Sequence, residues 1–117
     1  MRDFLRRLLK KRQSSPLQKE WVAIMLKLSG GEFGSRDEQD DVRLFAGQLR
    51  LAIAPIEGAT FDGDEFGNHE AGLYLFGPNA DQLYEAIEAL LRSWPRLRGG
   101  HVVKRYGTPS RSERIEF

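Results

Sequence analysis

The nine residues Asp62-Gly63-Asp64-Glu65-Phe66-Gly67-Asn68-His69-Glu70 are the densest group of chemistry-bearing side chains in this 117-residue chain. Oxygen donors at the first, third and ninth positions and a glycine at the sixth match part of a calcium-binding loop. The fifth position is Phe66, however, and the twelfth, where a bidentate glutamate belongs, is Leu73. A solvated acidic hairpin tip accounts for the same residues. His69 and His101 could join a carboxylate in a zinc or acid–base site, because imidazole titrates near neutrality and ligates metal through a neutral ring nitrogen. The strands expected to carry them are separated by a third, about 10 Å of backbone spacing. Nucleophilic chemistry has weaker support: there is no cysteine, no Gly-x-Ser-x-Gly, no phosphate-cradling glycine loop with a lysine, and no His-Glu-x-x-His. Gly30-Gly31-Glu32-Phe33-Gly34 sets backbone N–H groups ahead of a helix, but Glu32 and Asp37 would oppose an anion there. The expectation is a chain with no catalytic residues, no metal and no cofactor.

The elements that would position these residues follow from hydropathy spacing. Trp21 to Leu28 is a short run of branched and aromatic residues ending at Ser29-Gly30-Gly31, hence a first strand. Ser35 and Glu38 form a capping-box pattern ahead of Val42, Phe45, Ala46, Leu49, Ala52 and Ile53, which predicts a helix over 36–53, stopping before Pro55. Gly58 to Phe66 and Ala71 to Phe76 read as a hairpin turning at Gly67-Asn68. Asn79 with Gln82 opens a second helix over 80–93, carrying Leu83, Ala86, Ile87, Leu90, Leu91 and Trp94 on one face. His101 to Tyr106 alternates as a last strand. Beyond Gly107 the chain is polar until Ile115 and Phe117, whose spacing allows a short edge strand or none.

Charge is unevenly distributed. Arg2, Arg6, Arg7, Lys10, Lys11 and Arg12 face only Asp3 before Gln13, a local balance of +5 in a chain whose total is +1, so the remainder sums to −4. Met1, Phe4, Leu5, Leu8 and Leu9 recur at helical spacing, which makes residues 1–15 a basic amphipathic helix with a linker broken at Pro16. Contact with an anionic membrane surface or nucleic acid would belong to this arm. No run approaches the roughly 18 apolar residues of a membrane span, and the N-terminal apolar residues are interleaved with charge, unlike a secretory signal. A cytoplasmic protein that is not integral to a membrane is expected, with a folded domain over 16–107 and a tail over 108–117.

The order strand, helix, strand, strand, helix, strand resembles the ferredoxin-like, split βαβ fold over residues 20–106. That resemblance implies an α+β domain, a four-stranded antiparallel sheet with two helices on one face, and the N-terminal helix as an addition. In a 4-1-3-2 sheet, one rim would collect Glu32, Asp62, Asp64, Glu65, Asn68, His69, Glu70, Arg96, Arg98 and His101. The sheet face away from the helices would carry Trp21, Met25, Tyr74 and Phe76, too apolar to be left in water. Its cover could be the N-terminal helix, a second copy in a homodimer, or stacked bases of a single-stranded nucleic acid. Ala71-Gly72-Leu73-Tyr74-Leu75 departs from the RNA-recognition signature, and an acidic body repels phosphate. The expected function is therefore non-catalytic protein interaction or regulation, of an inhibitor or immunity type. The alternatives are a small metal-binding protein or enzyme using Asp62 to Glu70, and a single-stranded nucleic-acid binder.

Overall fold

The computed structural model describes residues 20–107 and 111–117, and the helix expected over residues 1–15 lies outside the described residues. Eight elements follow in order: β1 (Glu20–Lys27), α1 (Arg36–Ile53), β2 (Thr60–Gly67), β3 (Glu70–Gly77), α2 (Ala80–Arg92), a 3-10 turn (Pro95–Leu97), β4 (His101–Arg105) and β5 (Ser112–Glu116). The protein is α+β. Its strands pair antiparallel in the order β2-β3-β1-β4-β5, so β1 lies between β3 and β4 as expected.

The sheet has five strands, which corrects the four inferred from sequence. β5 reads Ser-Glu-Arg-Ile-Glu, with too little apolar content to announce a strand. It forms because its backbone completes the exposed edge of β4, with Ile115 opposite Val102 and Glu113 opposite Lys104.

Both helices start where their caps place them. At α1, Ser35 Oγ accepts from Glu38 N at 3.1 Å while Glu38 Oε1 accepts from Ser35 N at 2.9 Å, a reciprocal capping box. At α2, Asn79 Oδ1 accepts from Gln82 N at 3.0 Å. Ala86 faces solvent, and Tyr84 takes the buried position instead.

Period-two alternation sorts β1 and β3 between two cores. Val22, Ile24 and Leu26 join Leu73 and Leu75 beneath Val42, Phe45 and Leu49 of α1 and Leu83 and Ile87 of α2. Full burial of each such aliphatic side chain contributes about 1.5–3 kcal/mol. Trp94, just past α2, stacks on Phe45 with ring centroids 3.9 Å apart. On the opposite face Trp21, Ala23, Tyr74 and Phe76 form a second buried cluster, with Met25 packed against it. Among the described residues, no helix is long and apolar enough to cross a membrane.

Two glycines give opposite tests of this packing. A Cβ at Gly100 would meet the Met25 carbonyl and lie 3.1 Å from Leu26 Cα, backbone that cannot withdraw without disturbing β1. One at Gly47, inside α1, would meet nothing. Gly100→Ala should destabilise the protein by about 2 kcal/mol, and Gly47→Ala should stabilise it by about 0.5–1 kcal/mol. Urea-unfolding midpoints check both.

Candidate functional site

Glu32, Asn68, His69, Glu70, Arg98 and His101 all fall at the end of the sheet where β1 and β2 finish and β4 begins, spread along that end. Asn68 and His69 are the two central residues of the β2–β3 turn, with φ of 55° and 63°, as a right-twisted two-residue hairpin requires. The turn is latched to the loop after β1: His69 N donates to the Glu32 carbonyl and Leu28 N to the His69 carbonyl, both at 2.8 Å. His69 therefore serves the fold through its backbone.

The two histidines are not brought together. His101 stands opposite Met25, and Met25 opposite Gly72, three residues beyond His69 along β3. They are offset by about 10 Å across the sheet and about 10 Å along it. Burial, reinforced by Arg114, pushes the His101 pKa down, against the opposing effects of Glu116 and Glu70.

Asp62, Asp64 and Glu65 lie within β2 rather than at the rim. Asp64 pairs with Leu73 and points toward the helix layer, while Glu65 pairs with Gly72 and points to the other face. The register shift between Phe61 and Asp64 sets Asp62 at a bulge, farther still from the turn. A strand that alternates its carboxylates between faces cannot wrap them around a calcium ion. Arg96 is drawn into the helix layer by its ion pair with Asp41. Among the described residues, no three His, Asp or Glu side chains stand where they could hold a metal ion.

Two polar centres fall outside the expected set. Glu38 is buried, and its carboxylate accepts from Ser29 N at 2.9 Å, Gly30 N at 2.8 Å and Ser35 N at 2.9 Å. These backbone donors, Ser29 foremost, lower its pKa to about 2. The Glu38 carboxylate thus closes the Ser29–Ser35 loop onto α1. At the opposite end of the sheet, buried Lys104 donates to Asp81 Oδ1 at 2.9 Å, and Tyr106 Oη donates to the same oxygen at 2.7 Å. Burial by itself would lower the Lys104 pKa, but hydrogen bonds with Asp81 and Tyr106 outweigh it and raise the value. A lysine held protonated in this way is an anchor and not a nucleophile. Nearby, Glu20 accepts from Ala80 N at 2.8 Å and Gly107 N at 3.0 Å. The capping-box spacing was the available signal for Glu38, and a lysine in step with Val102 was the signal for Lys104.

The most accessible apolar surface among the described residues lies on α1. Leu44 is 70% exposed and Leu51 77%, one above the other on the helix stripe that includes Gly47 and Gln48. The stripe borders an open groove of about 480 Å³ lined by Asp41, Leu44, Gln48, Trp94, Pro95 and Arg96. The charged neighbours on α1 are turned aside, Arg50 over the Phe61 ring at 4.4 Å and Arg43 over Phe66 at 5.4 Å. The Trp21, Met25, Tyr74 and Phe76 face is assembled as the alternation requires, but its aromatic members are buried.

Because the Glu38 pKa is depressed on folding, its stabilising contribution is complete above the unfolded value near 4.5 and is lost as pH falls toward 2. Glu38→Gln should lower stability by about 1–3 kcal/mol at neutral pH and remove much of the acid dependence across that window, measured by denaturant midpoints against pH. His69→Gly, which relieves a left-handed residue, should raise stability by about 1 kcal/mol in the same assay. No protein family model, curated protein or solved structure matches the chain.

Proposed function

We propose that this chain is a non-catalytic protein-interaction domain of ferredoxin-like architecture, and that its partner surface is the outer face of α1. The β2-β3-β1-β4 order with two helices on one face supports the architecture, β5 being an edge addition. The observation that carries the functional reading is the pair Leu44 and Leu51, two large aliphatic side chains held in water on a rigid helix beside an open groove. A globular fold gains nothing from them there. Gly47 between them lets another backbone approach closely, at the expense of helix propensity.

The chemistry of the partner follows from the stripe. Its C-terminal half is uncharged across Leu44, Gly47, Gln48 and Leu51, and its N-terminal half carries Asp37, Asp40 and Asp41. An amphipathic helix with an apolar seam and a basic end is the complement. The polar groups elsewhere support a non-catalytic role, because Glu38, Lys104 and the His69 backbone each secure a loop or an element end.

The test is affinity capture with the tagged chain, paired with sedimentation velocity to register a second copy as partner. Three forms are compared: the parent, Leu44→Glu with Leu51→Glu, and Asp64→Ala with Glu65→Ala. The expected result is an association kept by the parent and the β2 variant and lost at least tenfold by the α1 variant, with all three equally folded by circular dichroism. An association that survives in the α1 variant and fails in the β2 variant overturns the reading.

A further inference from the structure

The described sheet ends on β2 at one side and on β5 at the other, and the two edges are built differently. β2 is bent by the register shift between Phe61 and Asp64 and carries Asp62, Asp64 and Glu65 along its length, a combination that discourages another strand from pairing. β5 runs in unbroken register against β4 over all five of its residues. Among the described residues, no strand is bonded to its outer side. The hydrogen bonds to β4 decide which backbone groups face outward. Tyr106 N donates to the Arg111 carbonyl at 3.2 Å and Phe117 N to the Gly100 carbonyl at 3.0 Å. Alternation along an antiparallel ladder therefore turns the N–H and C=O of Glu113, Ile115 and Phe117 toward β4 and those of Ser112, Arg114 and Glu116 toward the open side. The side chains are sorted as well. Ile115 and Phe117 are half-buried at the flank of the core beneath the helices, while Arg114 and Glu116 stand exposed on the opposite face, ion-paired with each other.

We propose that the outer edge of β5 is a homodimer interface, on which a second copy of this chain lays its own β5 antiparallel with the two-fold axis through Ile115. The outward backbone groups and the charges select that register together. Centring the pair on Arg114 sets arginine against arginine, and centring it on Glu116 sets glutamate against glutamate. Like charges directly opposite one another are destabilising. Centring on Ile115 places Arg114 of each copy opposite Glu116 of the other, and both are residues whose N–H and C=O face outward, so each pair exchanges its backbone hydrogen bonds. The two Ile115 side chains then meet on the axis as a non-hydrogen-bonded pair, with Cα atoms about 4.5 Å apart. On that same face Glu113 falls opposite Phe117 of the other copy, over whose ring the Arg92 guanidinium stands at 5.4 Å. Opposite charges thus meet on both faces of the seam, and Ser-Glu-Arg-Ile-Glu is complementary to itself in this register.

The interface is separate from the outer face of α1. Arg50 over Phe61 and Arg43 over Phe66 hold α1 above β2, at the far side of the sheet from β5. A dimer built on β5 leaves both α1 faces open at its two ends. It makes the chain bivalent toward the partner proposed above, while the dimer itself does not depend on that reading.

The test is sedimentation velocity on the full chain from about 1 µM to about 500 µM, a range that captures dissociation constants into the high micromolar. The parent should approach a dimer as concentration rises, and Arg114→Glu and Glu116→Arg should each weaken that association by about tenfold or more. Mixing the two variants should restore it, since one chain then brings two acidic residues to the seam and the other two basic ones. Both side chains are exposed, so circular dichroism should find the variants folded like the parent. The same measurement on Leu44→Glu with Leu51→Glu keeps this interface apart from α1: the dimer persists there, whatever becomes of partner capture through α1. A parent that stays monomeric across the range overturns the proposal, as does a dimer undiminished in both charge variants or a mixture that fails to recover one. Loss of the dimer in the α1 variant also overturns it, by assigning the second copy to α1.

Discussion

β1 is apolar on both faces and hydrogen-bonded on both edges, and the remaining architecture answers to that constraint. Its register runs the full strand against β3 and from Trp21 to Met25 against β4. A strand placed in this way can present neither edge nor face to water, so the domain needs neighbours on two sides and layers above and below. The helices supply one layer over Val22, Ile24 and Leu26. Trp21, Ala23 and Met25 demand the other.

Polar side chains in this protein chiefly hold loops and element ends in place. Glu38 gathers three backbone N–H groups at one end of β1. Glu20 gathers two at the other, beside the Lys104, Asp81 and Tyr106 contacts. Buried backbone donors at loop ends must find acceptors, and a carboxylate offers several lone pairs at one point. The two ends of the central strand are thus fixed by the same device, which leaves the outer surface of α1 free of structural duty.

How much of this was legible in the sequence depends on whether the signal was local. The limits of α1 could be read because Ser35 and Glu38 satisfy one another within a single turn and Pro55 closes the other end. The adjacency of β1 with β3 and β4 followed from the order of elements and the apolar rows. β5 was obscured because an edge strand is stabilised by backbone pairing, to which Glu113, Arg114 and Glu116 contribute little as side chains. The acidic stretch from Asp62 read as the end of a strand running into a solvated hairpin tip because carboxylates disfavour strands, yet Phe61 and Phe66 anchor it under Arg50 and Arg43. The register shift that separates Asp62 from Asp64 leaves no periodic trace. The α1 groove was missed because three of its seven lining residues, Trp94, Pro95 and Arg96, are remote in the chain.

The position of β1 also governs the order in which the molecule can be assembled during synthesis. Trp21 pairs with Phe76 and Arg105, 55 and 84 residues downstream, so the strand is made long before either neighbour exists. Closing loops of that length before any sheet contact forms is entropically unfavourable and slows folding. Until β3 arrives, both apolar faces of β1 are open to other chains, the condition under which nascent strands aggregate. Six basic residues among the first twelve give the unfinished polypeptide a positive charge upstream of this segment, and like charge opposes the approach of one copy of a chain to another.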